Sequence, residues 1–331
     1  MTEIIHVNQE RYFSKNNDIL NEFKIDIFNG LSKKNKEIPS KYFYDNNGSH
    51  LFNKITTHPD YYITNCELEI LNASKQKITD IVKKSSFNLI DLGPGEGIKT
   101  ELLMDHFLQN KLSFTYMPID ISCQYLETIA RKLDKHQPPI QLSPIHSDYL
   151  NGLKWISSDS TACNLVLFLG SSIGNYSMQD TEEFLYCLHD NLHQNDYAII
   201  GFDLQKSIDI LLHSYDDSDG ITRDFNLNLL HRINRELGAD FNVDKFNHHA
   251  FYNTQIGAME SNLISLESQV VSVDALGTAF NFEKTEPIHV EYSYKYSLNK
   301  IEELADASGF NVIENFFDSK GYFVDSLWQV K

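Results

Sequence analysis

Short apolar runs alternate with amphipathic stretches through the middle of the chain. The runs that predict buried strands lie at 87–92, 114–119, 140–145, 165–169 and 197–202. The stretches whose apolar residues recur at helical spacing lie at 98–109, 122–134 and 178–192. Because strands that alternate with helices in this way form a parallel sheet, the pattern predicts a Rossmann-like α/β core.

The pattern changes after Asp203 and returns near the end of the chain. A polar turn at 214–220 precedes a long helical stretch at 222–237, and short alternating runs across 245–295 predict antiparallel strands. The elements that return to the first pattern are a helix at 301–307 and strands at 310–317 and 322–330. They predict a closing β-hairpin on the parallel sheet.

This change of pattern divides the chain into two predicted domains. The core domain comprises 65–205 and 296–331. The second, smaller α+β domain comprises 1–64 and the inserted segment 206–295.

A glycine-rich turn follows the first strand of the core, where a doubly wound sheet binds nucleotide-like ligands. It reads Gly93-Pro94-Gly95-Glu96-Gly97-Ile98-Lys99. A P-loop is excluded because Ile98, and not glycine, precedes Lys99. A dinucleotide is disfavoured because Glu96 would repel a pyrophosphate at the start of the helix. An adenosine cofactor without phosphates remains, and the sulfonium and amino group of S-adenosylmethionine suit acidic surroundings.

Two acidic residues at the ends of later strands support this interpretation. Asp120 ends the second strand, where its carboxylate is placed to accept both ribose hydroxyl protons. Asp148 follows the third strand and is placed to meet the adenine amino group. Acids at strand ends are often only solvated, but the turn and both acids in this order predict a methyltransferase.

Charge and cysteine content narrow the class of partner. The 331-residue chain has 28 basic and 46 acidic residues, a net charge of −18, which disfavours nucleic acid and anionic membranes as partners. We therefore expect a small-molecule substrate. The protein is also expected to be a monomer. The four cysteines show no metal-binding spacing, and the sequence has neither a signal-peptide pattern nor an apolar run of membrane-spanning length. These features predict a cytoplasmic protein.

Two motifs invite a metal interpretation, and neither supports it. The adjacent His248 and His249 would point to opposite faces of a strand, so we expect ordinary surface histidines. The acidic stretch at 216–220 resembles a calcium loop but lacks the closing glutamate, so we expect a solvated turn. No metal site is predicted.

Aromatic clusters mark the N-terminal segment. Helical spacing of Phe23, Ile27 and Leu31 predicts a helix, after which Tyr44 and Tyr61 lie beside turn-forming residues. One such tyrosine is typical of a core side chain whose hydroxyl stays in water. Two clusters just before the cofactor domain favour a lid over the substrate.

The motifs together resemble one protein family along nearly the whole chain. They are FYDNNGSHLF (43–52), DYYITNCELEIL (60–71), DLGPGEGIKT (91–100), MPIDIS (117–122), FLGSSIGNY (168–176), YDDSDGIT (215–222), LLHRINRELGADF (229–241) and EYSYKYS (291–297). They resemble the histidine-specific N-α-methyltransferases of ergothioneine biosynthesis. That family transfers three methyl groups from S-adenosylmethionine to the α-amine of L-histidine and forms hercynine. The resemblance implies the Rossmann-like seven-stranded sheet of class I methyltransferases with a second substrate domain.

The resemblance also implies roles for individual residues. The residues implied to bind the cofactor are Gly93, Gly95 and Lys99 at its methionyl part, Asp120 at its ribose, and Asp148 with Tyr149 at its adenine. Tyr44 and Tyr61 would form the lid, and Asn175 with Tyr215 would hold the substrate carboxylate. Tyr44 and Asn175 are the candidate catalytic residues, with proton acceptance by Tyr44 as a hypothesis.

Substrate choice is implied by a short segment near the end of the insertion. Glu291 and Ser293 match the imidazole-binding pair of the family, and Met259 is expected to line the same pocket. Residues two apart in a strand share a face, and an acid with a hydroxyl suits a ring that has one N–H and one lone pair. The alternative is a methyltransferase of the same family that acts on tryptophan or a derivative. Ser171-Ser172 departs from the family pattern.

Overall fold

The computed structural model describes residues 3–7, 17–82, 86–159 and 162–331. The α-helices are α1 (Asn17–Ser32), α2 (Asn46–Thr57), α3 (Tyr62–Val82), α4 (Ile98–Gln109), α5 (Cys123–Leu133), α6 (Tyr149–Asp159), α7 (Met178–Asp190), α8 (Ile208–Tyr215), α9 (Ile221–Leu237) and α10 (Leu298–Ala307). The strands are β1 (Ile5–His6), β2 (Lys36–Glu37), β3 (Phe87–Leu92), β4 (Phe114–Asp120), β5 (Gln141–Leu142), β6 (Ile145–His146), β7 (Cys163–Phe168), β8 (Tyr197–Asp203), β9 (Phe246–Asn253), β10 (Ala258–Ser265), β11 (Gln269–Val273), β12 (Thr278–Phe282), β13 (Pro287–Tyr294), β14 (Phe310–Phe317) and β15 (Phe323–Val330).

The chain divides into two compact units. The first unit consists of Met1–Glu10, Ile63–Gln205 and Lys295–Lys331, and the second of Arg11–Tyr62 and Lys206–Tyr294. This division differs from the predicted domains mainly at the N-terminus. There β1 pairs in parallel with β6 and so joins the sheet of the first unit.

The first unit is built on a mixed sheet. Its strands follow the order β1-β6-β4-β3-β7-β8-β15-β14, and β5 pairs with β4. In this sheet β1, β6, β4, β3, β7 and β8 pair in parallel with their neighbours. Strand β15 runs antiparallel to both β8 and β14. Within the described residues this sheet has nine strands and not the predicted seven, because β1 joins its edge and the predicted third strand is divided into β5 and β6. The parallel sheet with an antiparallel closing hairpin confirms the predicted Rossmann-like class I methyltransferase fold.

Strand β3 lies at the point where the chain changes direction across the sheet. The chain passes from β3 to β4 and β6 on one side, then returns to β7 and β8 on the other. All six residues of β3 are buried, as expected for a strand covered on both faces. A crevice outside the carboxyl end of such a strand is the usual ligand site of an open α/β sheet.

The second unit contains a sheet of mostly antiparallel strands and its own core. The order is β2-β13-β10-β9, in which β9, β10 and β13 are antiparallel and the short β2 pairs in parallel with β13. Strands β11 and β12 form a separate antiparallel hairpin, so the antiparallel strands predicted across 245–295 are confirmed. Helix α9 packs Phe225, Leu229 and Ile233 into this core. Gly238, at φ +63°, ends α9 as predicted because its backbone takes the left-handed conformation.

Several local predictions differ from the structure. The predicted third strand is split into β5 and β6 around Pro144, which has no N–H to donate to a neighbouring strand. Helices α6 and α8 were not predicted. The acidic stretch is more than a solvated turn, since the buried Asp217 accepts hydrogen bonds from the backbone N–H groups of Ile221 at 2.9 Å and Thr222 at 2.6 Å and so caps α9.

His248 is not the surface histidine that the sequence predicted. Its ring is buried, and its Nε2 lies 2.9 Å from the carbonyl oxygen of Tyr215. A carbonyl only accepts, so Nε2 carries the proton. Burial lowers the pKa of His248, whereas His249 on the opposite face of β9 is exposed.

No helix in the described ranges combines the length and the apolar character needed to cross a membrane. Likewise, within those ranges no three His, Cys, Asp or Glu side chains are grouped so as to hold a metal ion.

Candidate active site

The glycine turn after β3 has exposed backbone with unoccupied space beside it. Gly93 and Gly95 have φ values of +70° and +56°, a region that favours glycine. The N–H of Gly93 donates to the carbonyl of Ile119 at 2.9 Å, which holds the turn beside β4. A Cβ on Gly93 would lie 2.5 Å from the hydroxyl oxygen of Tyr149, whereas a Cβ on Gly95 would meet nothing within 4 Å. The turn therefore leaves room for a ligand at Gly95 and brings Tyr149 to Gly93.

Two buried carboxyl groups lie beside this turn. Asp120 ends β4, and its Oδ1 accepts from the N–H of Ser122 at 2.7 Å. Burial raises the pKa of Asp120 to about 7. The hydrogen bond from Ser122 opposes this shift, and the negative charge of Asp91 adds to it. Burial raises the pKa of Asp91 to about 6, although the hydroxyls of Thr100 at 2.5 Å and Tyr116 at 2.9 Å donate to it. Such a site favours a ligand with positive charge over one with phosphates.

Asp148 lies at the end of the next strand, as predicted, but it has a local role as well. Its carboxylate accepts from the backbone N–H of Asn151 at 3.0 Å and from the side-chain amide of Asn151 at 2.7 Å. These bonds place Asp148 at the start of α6. Strand β4 lies between β3 and β6, with Leu92 paired to Ile119 and Asp120 paired to His146. This register places the glycine turn, Asp120 and Asp148 at the carboxyl ends of three adjacent strands. The structure thus brings these predicted cofactor residues together.

Lys99 contacts a residue that sequence reasoning did not identify. Its ammonium group forms an ion pair with Oε2 of Glu67, a fully buried residue of α3. Oε1 of Glu67 accepts from the N–H of Gly170 at 2.7 Å, just after β7. Burial and the carboxylate of Glu67 raise the pKa of the buried Asp325 well above its ordinary value. The carboxyl groups of Glu67 and Asp325 and the ammonium group of Lys99 therefore interact with one another near the end of β7.

A sequence signal for Glu67 existed. It lies four residues after Ile63 and four before Leu71, on the buried stripe of α3. A charged residue on such a stripe is rarely buried without a partner. Its partner is decided by the fold, because Lys99 belongs to another helix.

Asn175 follows β7 in a short 3-10 helix, Ser172–Asn175. The segment before it is bent, since Gly170 and Ser171 have φ values of +77° and +57°. The hydroxyl of Ser171 accepts from the N–H of Asp203 at 3.3 Å. Asn175 is half-buried, at the same end of the sheet as Asp120.

In the second unit, four predicted substrate residues meet on one face of the antiparallel sheet. The hydroxyl of Tyr215 donates to Oγ of Ser293 at 2.6 Å. Met259 lies opposite Ser293 in the register of β10 and β13, and Tyr215 and Met259 share one apolar cluster. Glu291 lies two residues before Ser293, opposite Ser261.

A β-bulge helps to set this arrangement. The register shifts between Ser261 and Asn262, so that Val290 is the extra residue on β13. A bulge bends its strand and re-aims the side chains beside it. Here it lies directly before Glu291.

The two predicted lid tyrosines lie in the second unit. Tyr44 contacts Phe52 and Phe225 edge to face, with ring centroids 5.4 and 5.7 Å apart. Tyr61 also packs against the core of this unit, and its N–H donates to the carbonyl of His58 at 3.0 Å. Both tyrosines are partly buried, so their rings contribute to packing.

The sequence profile of one family, described as histidine-specific, S-adenosylmethionine-dependent methyltransferases, matches residues 23–330. The chain belongs to this family. It is an enzyme, and S-adenosylmethionine is its methyl donor.

Three relatives show how this methyltransferase compares with characterised proteins. It is 33% identical to the histidine N-alpha-methyltransferase of Mycobacterium tuberculosis (strain CDC 1551 / Oshkosh), over 91% of this chain and 93% of the relative. It is 35% identical to the histidine N-alpha-methyltransferase of Mycolicibacterium smegmatis (strain ATCC 700084 / mc(2)155), over 85% and 87%. It is 26% identical to the 4-dimethylallyltryptophan N-methyltransferase of Claviceps fusiformis, over 82% and 81%.

The first unit of the methyltransferase fits the chemistry of its methyl donor. The open turn at Gly95 leaves room for a ligand close to backbone, and the buried acids Asp91 and Asp120 make the surroundings of the turn more suitable for a cationic cofactor than for an anionic one. The buried acids do not suit a pyrophosphate.

Proposed function

We propose that the protein transfers three methyl groups from S-adenosylmethionine to the α-amine of L-histidine and so forms hercynine, an intermediate of ergothioneine biosynthesis. One observation carries the choice of substrate: Glu291 and Ser293 lie on one sheet face, with Ser293 bonded to Tyr215 at 2.6 Å. The names of the mycobacterial relatives support the same reaction.

In this proposal the first unit holds the methyl donor. Gly93, Gly95 and Lys99 bind its methionyl part, and the ion pair with Glu67 fixes the direction of the Lys99 side chain. Asp120 accepts hydrogen bonds from the ribose hydroxyls, and Asp148 with Tyr149 binds the adenine.

The second unit selects the amino acid. Glu291 accepts a hydrogen bond from the imidazole N–H, and the hydroxyl of Ser293 meets the second ring nitrogen. Met259 lines the pocket, Tyr215 contacts the substrate carboxylate, and Tyr44 and Tyr61 cover it. Asn175 of the first unit is proposed as a second carboxylate ligand.

A tryptophan derivative is the second candidate substrate, favoured by the similarity to the Claviceps fusiformis enzyme. The face with Glu291 and Ser293 opposes it, because an indole has one N–H and no ring lone pair for a donor. A buried polar group left without a partner costs about 1–3 kcal/mol. L-Histidine therefore remains the preferred substrate.

The chemical step is a direct displacement. S-Adenosylmethionine supplies an activated methyl group. The lone pair of the neutral amine forms the new N–C bond while the methyl C–S bond breaks, its electrons stay on sulfur, and the nitrogen then loses a proton in the first two transfers. Catalysis is then largely the alignment of the amine with the methyl group, a positioning effect. We propose Tyr44 as the acceptor or relay of the proton.

We also propose that the enzyme acts as a monomer in the cytoplasm. The four cysteines are free thiols, which fits a reducing compartment. The excess of acidic over basic residues argues against nucleic acid as a partner.

The test is a titration of L-histidine into the protein saturated with S-adenosylhomocysteine, followed by mass spectrometry of turnover with S-adenosylmethionine. Histidine binding and mass gains of one to three methyl groups are expected. L-Tryptophan and 4-dimethylallyltryptophan serve as competing substrates in the same assay. Binding of S-adenosylhomocysteine without any response to histidine would reject the proposed substrate, and methylation of a tryptophan instead would select the second candidate.

A further inference from the structure

Among the described residues, three buried hydroxyls have no hydrogen-bond partner, those of Thr181, Thr222 and Ser261, and Ser261 lies in β10. The residue is 1% exposed, and among the described residues its Oγ has no hydrogen-bond partner. Ser265, four residues later on the same strand, is 0% exposed but fully engaged. Its Oγ donates to the carbonyl of Glu267 at 2.8 Å and accepts from Nε2 of Gln269 at 2.7 Å. A buried hydroxyl without a partner is costly and calls for an explanation.

The register of the sheet places Ser261 beside the proposed imidazole site. Ser261 lies directly opposite Glu291 on β13, and Met259 lies opposite Ser293. Directly opposite residues of an antiparallel pair have Cβ atoms about 4.5–5.5 Å apart, and residues two apart in a strand share a face. The hydroxyl of Ser261 is therefore on the face that carries Glu291, Ser293 and Met259.

The chemistry of the face explains why another hydroxyl is useful there. A carboxylate only accepts hydrogen bonds, so Glu291 engages one ring N–H and leaves the second ring nitrogen to another group. The hydroxyl of Ser293 already accepts a hydrogen bond from the hydroxyl of Tyr215. A hydroxyl both donates and accepts, so Ser261 can serve a ring nitrogen in either protonation state.

We propose that Ser261 is a further specificity-determining residue of this enzyme, whose hydroxyl hydrogen-bonds a ring nitrogen of bound L-histidine. This inference rests on the proposed function. The substrate ring then supplies the partner that Ser261 lacks among the described residues.

The experiment compares Ser261→Ala with the matched control Ser265→Ala. Ser261→Ala removes a hydroxyl without a described partner, so its ligand-free melting temperature should not fall below that of the wild type. Its Kd for L-histidine, measured by calorimetry with S-adenosylhomocysteine present, should rise roughly 5- to 50-fold. The Kd for S-adenosylhomocysteine should stay within about twofold. Ser265→Ala should show the reverse, a lower melting temperature with unchanged histidine affinity, because it removes two hydrogen bonds within the protein.

A second readout separates ring recognition from general pocket shape. L-2-Thienylalanine carries a ring of similar size without nitrogen, so its inhibition constant should be the same in the wild type and Ser261→Ala. If the alanine variant does not fold, Ser261→Cys is measured in its place, since sulfur keeps the volume and bonds only weakly.

The outcomes are distinguishable. Wild-type binding of histidine with unchanged affinity in Ser261→Ala would overturn the role of Ser261 and leave the proposed function standing. An equal loss of affinity for histidine and thienylalanine would also overturn it. No histidine binding by the wild type, with S-adenosylhomocysteine still bound, would reject the proposed function and the inference with it.

Discussion

Replacing Asp120 by Asn tests the electrostatics of the cofactor site most directly. Asp120 is 8% exposed, and its Oδ1 accepts from the N–H of Ser122 at 2.7 Å. An asparagine keeps an oxygen for that bond and has no charge. Asp217 is the matched control, because it is also 8% exposed but the N–H groups around it lower its pKa, despite the opposing effect of burial.

The magnitude follows from the pKa of Asp120, which burial raises from 3.8 to about 7. One pKa unit corresponds to about 1.36 kcal/mol, so keeping this carboxylate charged in the fold costs about 4 kcal/mol. Since the folded-state pKa is the higher one, the favourable contribution of Asp120 is complete below pH 3.8 and is lost as the pH rises through about 7. Allowing for the burial of the amide, Asp120→Asn should stabilise the ligand-free protein by about 2 kcal/mol at pH 8. Much of this gain should disappear at pH 5.

Cofactor binding should change in the opposite direction. Hydrogen bonds to a charged acceptor contribute about 1.5–3 kcal/mol, so Asp120→Asn should raise the Kd for S-adenosylhomocysteine about 10- to 150-fold at pH 8. The wild type should itself bind more weakly below pH 7, as Asp120 becomes protonated.

The assay is thermal unfolding of wild type, Asp120→Asn and Asp217→Asn at pH 5 and pH 8, with calorimetry of S-adenosylhomocysteine at pH 8. Asp217→Asn should melt lower at pH 8, because it weakens a helix cap worth about 0.5–2 kcal/mol. A lower melting temperature for Asp120→Asn at pH 8, or unchanged cofactor affinity, would refute this account of the site.

Three further predictions concern other residues of the two proposed sites and their buried neighbours. Glu291→Ala should raise KM for L-histidine far more than it changes S-adenosylhomocysteine binding, and unchanged histidine kinetics would reject its assignment. Glu67→Gln keeps an acceptor for the N–H of Gly170 but removes the ion pair of Lys99, so the free energy of unfolding should fall by about 1–3 kcal/mol in thermal unfolding. The loss caused by Glu67→Gln should be smaller in a background that already carries Lys99→Met, and equal losses in both backgrounds would contradict an interaction between the two residues. Tyr116→Phe removes a 2.9 Å hydrogen bond to a buried carboxyl and should lower unfolding free energy by about 1–3 kcal/mol in urea titrations, whereas no change would show that this bond is not stabilising.

Much of the fold was predictable because its signals are local. The apolar run at 87–92 forms β3 with the same bounds, and the helical spacing at 98–109 forms α4. The antiparallel character of 245–295 followed from alternation, which has the same period as a strand. Helix α8 was missed because its apolar positions, Ile208 to Leu212, form a run without clear periodicity.

The candidate cofactor site was also predictable, and for a topological reason. Residues at the carboxyl ends of adjacent parallel strands meet at one edge, so the order of Gly93, Asp120 and Asp148 along the chain already implied their proximity. Their individual contacts with the cofactor stay predictions.

The remaining features depend on partners distant in sequence. The sequence by itself determined the alternation of strands and helices, the glycine turn and the family. Only the tertiary structure decided that Glu67 pairs with Lys99, that His248 is buried against Tyr215, and that Ser261 lies opposite Glu291. Periodicity reports which side of an element is buried, but not which residue of another element it meets. That pairing is set by strand register, by a bulge of one residue and by helix packing, which exist only once the chain has folded.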